Sequence, residues 1–204
     1  MDVSGSTPVS SSAKRLESKR MSAISNARLF FHQQQLNKQL KAKKSPRLRK
    51  RVNLSSAKTV GILFDATELD NRNIVLKYAK GLKNLKKKVS LLGFFNSKIE
   101  DENYTFKHIN LKNIDWALRP TGPEVKAFMQ ESFDVFINAD PRTKVHSEYI
   151  AALSNAHLRV GPCTENTYCY DVMIDLGKSM DLNKFLQQVD VLMEKTNTKH
   201  EAAI

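Results

Sequence analysis

Cysteine is scarce in this chain: 204 residues hold two, Cys163 and Cys169. Two thiols are too few for a disulfide framework, and neither has His or Cys companions at zinc-ligand spacing. Ordinary packing or edge positions account for them, and a reduced, cytoplasmic setting is expected. No apolar run approaches the ~20 residues that a spanning helix needs. No stretch of roughly 7–15 apolar residues follows the N-terminal charges either, so a secretory signal is not expected. Acid is what the first 58 residues lack. They carry 14 Lys and Arg against two acids, Asp2 and Glu17, whereas residues 59–204 hold 19 bases and 19 acids. The formal charge of +12 therefore resides entirely in the N-terminal part. Such an imbalance points to a polyanionic partner, a nucleic acid or an anionic membrane surface, with a solubilising tail as the plainer explanation.

The length allows one ordinary domain with chain to spare. Residues 1–20 are Ser-rich, with Gly5 and Pro8, and are expected to be disordered; Met21 is a candidate start of translation. Residues 22–42 contain neither Gly nor Pro and predict a helix with a ragged apolar stripe of Ile24, Ala27, Phe31, Leu36 and Leu40. Lys41, Lys43, Lys44, Arg47, Arg49, Lys50 and Arg51 then crowd together around Pro46, which favours an extended, self-repelling linker. The N-terminal arm is taken as residues 1–58, the folded domain as 59–196 and a disordered tail as 197–204.

Within the domain, Val60 to Phe64 is a continuous apolar run closed by Asp65, the pattern of a strand buried on both faces. Asn71 to Lys87 predicts an amphipathic helix, with Asp70 or Asn71 as its cap. Val89 to Phe95 follows as a strand and Tyr104 to Ile109 as a short edge strand. Next come a helix from Pro123 capped by Thr121, a strand over Phe133 to Asn138 and a helix over Val145 to Asn155. Leu158 to Gly161 and Tyr168 to Leu176 predict two more strands, and Leu182 to Met193 a last helix capped by Asp181. Alternating strands and helices imply βαβ units, hence a three-layer α/β, Rossmann-like domain with a mostly parallel sheet. Only about six residues separate Gly161 from Tyr168, too few for a crossover helix, so a mixed edge is expected there.

Ligands of open α/β sheets gather at the carboxyl ends of the strands. The loop Asp65-Ala66-Thr67-Glu68-Leu69-Asp70-Asn71 has no glycine, so it is neither a dinucleotide fingerprint nor a P-loop. An Asp closing the first strand resembles haloacid-dehalogenase phosphotransferases, but their second acid, two residues on, is Thr67 here. Asp65 and Asp140 are expected at neighbouring strand ends without forming a tight magnesium site. Arg119-Pro120-Thr121-Gly122-Pro123 is the most distinctive loop, and Trp116, Arg119, Thr121 and Gly122 form a candidate ligand site before a helix N-terminus. The plainer alternative has Trp116 anchoring the loop against the core and Arg119 paired with an acid. His108, His146 and His157 have no nucleophile partners at readable spacing, and Ser147 and Ser154 lack elbow glycines, so no catalytic residue and no cofactor is assigned.

Residues 59–65, 115–122, 133–138 and 159–162 resemble a family of small proteins from Bacteroidetes-type bacteria, a domain of unknown function with no established catalytic residues. Phe133 to Asn138 and then Ala152 to Gly161 are also faintly similar to the N-terminal half of heptosyltransferase-type glycosyltransferases. Those enzymes bind the sugar donor mainly in a second Rossmann-like domain, for which this chain is too short. That likeness supports the fold and argues against the activity.

Three functions follow in order. The first is a non-enzymatic binding protein whose basic arm contacts RNA or the ribosome, with Phe30 and Phe31 packing on the arm helix or the domain, or stacking on bases. The second is peripheral association with an anionic membrane, in bacteria the inner one, through helix 22–42 and the basic cluster. The third is a small enzyme using the strand-end acids.

Overall fold

A computed structural model describes residues 11–43, 52, 54–98 and 103–198. Six strands form one sheet: β1 (Thr59–Asp65), β2 (Lys88–Phe95), β3 (Lys107–Asn110), β4 (Val135–Ala139), β5 (Leu158–Pro162) and β6 (Val172–Ile174). Their order is β3-β2-β1-β4-β5-β6, and every pairing is parallel. The helices are α1 (Ser11–Ala42), α2 (Leu69–Asn84), α3 (Pro123–Gln130), α4 (Val145–Leu153) and α5 (Leu182–Thr198).

The near-continuous apolar runs of β1 and β4 are explained by two cores, one on each face of the sheet. Val60, Ile62 and Phe64 pack with Val75, Leu82, Phe185 and Val189 beneath α2 and α5. On the other face Leu63, Leu92, Phe94 and Phe136 pack with Val125, Phe128, Tyr149 and Ile150 of α3 and α4, and with Leu36 of α1. Gly61 is the price of that second layer, because a Cβ there would lie 2.5 Å from the Phe133 ring.

The expected mixed edge is not observed. β6 has only three residues and starts at Val172 rather than Tyr168. The chain therefore retreats only about 10 Å between β5 and β6, well within reach of residues 163–171. That loop replaces a crossover helix by its own side chains. Cys169 is fully buried, and Tyr170 lies so close over Gly161 that a Cβ there would sit 2.3 Å from its ring. Asp171 then ties the loop back: its amide donates to Arg159 O at 2.8 Å and its carboxylate accepts from the Arg159 amide at 2.9 Å.

Helix α1 also departs from expectation. Residues 11–20, expected to be disordered, are its first turns, while residues 1–10 lie outside the described part. Residues 197 and 198, assigned to a disordered tail, end α5, and 199–204 lie outside the described part. The ragged stripe of α1 proves to be two stripes. His32, Leu36 and half-buried Leu40 face the sheet domain, whereas Ile24 and Phe31 face outward. Asp181 caps α5 as expected, accepting from the amides of Asn183 at 2.9 Å and Lys184 at 3.2 Å. Two other caps differ. Glu68 precedes α2 without a side-chain bond, and α3 begins after Gly122, whose φ of 113° suits glycine.

Candidate functional site

Strand order reverses between β1 and β4, whose carboxyl ends therefore frame the crevice where α/β sheets hold ligands. Asp65 and Asp140 stand there side by side, as the sequence led one to expect. Each folds the chain in the same way: Asp65 Oδ1 accepts from the Thr67 amide at 2.9 Å, and Asp140 Oδ1 from the Arg142 amide at 3.0 Å. Their remaining oxygens are occupied by two cations of the following loop. Arg142 donates to Asp65 Oδ2 at 2.9 Å and to Asp140 Oδ1 at 3.2 Å. The Lys144 ammonium binds Asp65 Oδ2 and lies 3.1 Å from Asp140 Oδ2. Burial pushes the Asp65 carboxyl up, but hydrogen bonds from Lys144 and Thr67 outweigh it and hold it below its ordinary value. The quartet is neutral as a whole. A divalent cation at the two carboxylates would have to displace Arg142 and Lys144, and among the described residues no three His, Cys, Asp or Glu side chains converge.

Two polar side chains lie beside the quartet. His146 rests on the Phe94 ring, centroids 4.0 Å apart, and its Nε2 is buried without a hydrogen-bond partner. Burial and then the nearby Lys144 charge lower its pKa to about 4, so it is neutral at pH 7. Glu148 is buried and accepts from the Thr164 hydroxyl and, at 2.8 Å, from Asn166 Nδ2. These residues, with Lys144 and Cys163, line an open recess of about 540 Å³. None of Arg142, Lys144, His146 or Glu148 was singled out from sequence as a site residue. The available signal was the run Asp140-Pro141-Arg142-Thr143-Lys144, which puts two bases within four residues of a strand-end acid.

The second candidate region lies where α1 meets the loop 114–120. That loop is a small hairpin: Ile114 bridges Pro120, the Asp115 amide donates to Arg119 O at 2.9 Å, and Leu118 adopts a left-handed φ of 59°. Arg119 pairs with Asp115, Nη2 to Oδ2 at 2.6 Å, as the plainer alternative anticipated. Thr121 donates its hydroxyl to Asn113 O at 2.9 Å, and Gly122 serves the α3 terminus, so neither acts as a ligand group of its own. Trp116 does not anchor against the core. It is 57% exposed and packs on Phe31, centroids 5.5 Å apart, and Phe31 in turn meets Phe30 at 5.8 Å. The backbone behind these rings is held by α1: Arg28 Nε donates to Trp116 O at 2.7 Å, and His32 Nδ1 to Ala117 O at 3.0 Å. A carbonyl can only accept, so His32 carries its proton on Nδ1; burial lowers its pKa, partly offset by this bond.

The basic cluster is divided. Lys41 is exposed on the last turn of α1. Lys43 is committed to the fold, donating to Leu153 O at 2.8 Å and Ser154 O at 3.2 Å, the last carbonyls of α4. Its place in the anion-binding set is thereby corrected: it anchors the cluster to the domain. Lys44, Arg47, Arg49, Lys50 and Arg51 lie outside the described residues.

Residues 28–194 match the model of a family of unknown function, DUF6913. The match spans most of the chain, which therefore belongs to that family; it begins at Arg28, within the docked part of α1. No curated protein matches the chain.

Proposed function

We propose that this member of the DUF6913 family is a non-enzymatic binding protein whose basic N-terminal segment contacts RNA, free or in the ribosome, in the cytoplasm. The observation that carries this reading is the partition of charge. Residues 59–204 are neutral overall, while the first 58 carry the whole +12. Docking of α1 supports it, because Leu36 and Lys43 tether the start of the basic cluster to a rigid domain rather than leaving it on a free tail. The strand-end quartet supports it from the other side: its two acids are satisfied by the chain's own cations, which suits a structural role. Among the described residues no helix is long and apolar enough to cross a membrane; anionic surfaces remain the competing polyanion.

Titration of the full-length chain at ~100 mM salt with labelled RNA, and in parallel with anionic vesicles, tests the reading. RNA binding that is lost on raising the salt, with little vesicle binding, is expected. Vesicle binding alone would replace the RNA reading by the peripheral-membrane one. Binding to neither would leave a solubilising tail.

A further inference from the structure

We propose that Phe30, Phe31 and Trp116 form a stacking platform for unpaired bases of single-stranded RNA. The proposal rests on the polyanion reading and sharpens it to one class of nucleic acid. Large apolar side chains are common singly on protein surfaces but seldom gather there without a partner. Here three rings meet edge to face and tilted, exposed by 58%, 46% and 57% in that order. They are also fixed in place. The 114–120 hairpin carries Trp116, two α1 side chains hold the carbonyls of Trp116 and Ala117, and buried Leu36 seats the helix below them. A platform immobilised from behind loses little side-chain freedom when a flat ligand settles on it.

Charge and helix phase identify the ligand. Lys38 lies seven residues after Phe31 and Lys41 eleven after Phe30, and both lysines are exposed. At 3.6 residues per turn each lysine returns to the face of its ring, about 10 Å and about 16 Å further along the axis. A strand stacking a base on the rings and running along α1 toward the basic cluster thus meets ammonium groups at successive distances. The remaining exposed side chains of this stretch, Gln33, Gln34 and Asn37, are amides rather than aliphatics, which suits a sugar-phosphate chain better than a lipid surface. A second copy of the chain would bring a like basic segment to the same place and be repelled. Duplex RNA keeps its base faces occupied and its major groove too deep and narrow for side chains, so the rings select unpaired bases.

Trp116 is the chain's one tryptophan, so its fluorescence reports on the platform directly. The full-length protein is titrated with single-stranded and duplex RNA of equal length, following both anisotropy of the RNA and tryptophan emission. Quenching by the single strand should saturate together with anisotropy. Trp116→Ala and Phe31→Ala should each weaken single-strand binding about tenfold, leave duplex binding and the salt slope unchanged, and keep the wild-type thermal transition; Trp116→Phe should restore most of the affinity. Single-strand binding that persists in both alanine variants would overturn the platform while leaving the charge reading intact. Absence of RNA binding by the wild type would remove both. Burial of Trp116 in a concentration-dependent dimer, or in anionic vesicles, would assign the patch to another partner and overturn the proposal.

Discussion

At the strand ends Asp65 and Asp140 meet Arg142 and Lys144 in equal number, whereas the 58 residues leading to β1 carry 14 bases against two acids. The two regions use similar side chains to opposite ends. Where acids and bases balance and sit on adjacent strand termini, each charge finds its partner within the chain and the result is architecture. Where one sign prevails, the fold can satisfy only a few members. Lys43 finds two helix-terminal carbonyls, but no set of internal acids exists to neutralise the rest. Charge without an internal counterpart is what an external polyanion recognises.

The contrast can be broken most severely by acid. Folded His146 stays neutral down to about pH 4, while in the unfolded chain it takes up a proton near its ordinary 6.5. Between these values the unfolded state holds more protons, so stability falls as pH falls through that window, by up to roughly 3 kcal/mol. Asp65, held below its ordinary value, adds a further loss once the pH drops below the usual carboxylate range. Chemical denaturation from pH 7 to 4 should show this slope, and His146→Leu should flatten it; an unchanged slope would mean that the buried ring is not the cause. Leu36→Ala, at a position 2% exposed, should cost about 2–3 kcal/mol by opening the interface between α1 and α4. A loss below about 0.5 kcal/mol in denaturant titration would show that α1 is not part of the core. Asp65→Ala leaves Arg142 and Lys144 with one acid between them. Both cations reach solvent, so about 2 kcal/mol is expected, below the range for fully buried pairs, with RNA affinity unaltered. Loss of RNA binding without loss of stability would make the quartet a ligand site instead. Arg28→Ala removes one hydrogen bond at the surface and should cost only about 0.5–1 kcal/mol.

Much of the fold is legible in local pattern. The apolar runs of β1, β2 and β4 and the alternation with helices reveal a two-faced parallel sheet, and adjacent Asp65 and Asp140 follow from the usual strand order. What local pattern does not carry is the parallel entry of β6. It depends on a strand of three residues and on Cys169 and Tyr170 replacing a helix, neither of which has a periodic signature. The dock of α1 was obscured for a related reason. Its buried face is a narrow row of His32, Leu36 and Leu40, completed by polar bonds from Arg28 and Lys43, while Ile24 and Phe31 on the other side blur the stripe. Trp116 and Arg119 were noticed as a loop. Their partner Phe31 lies some 85 residues away in sequence, and no spacing rule links the two.

The salt dependence of RNA binding decides whether unbalanced charge is the chain's functional element. Full-length protein is compared with a variant in which Lys41, Lys44, Arg47, Arg49, Lys50 and Arg51 are replaced by Gln, sparing Lys43 because it anchors α1. If these six side chains meet phosphates, the plot of log affinity against log salt should lose a slope of about 4, near 0.7 for each contact to a single strand. The thermal transition should not move. Equal slopes in the two proteins would contradict the account and return the basic segment to the role of a solvated tail.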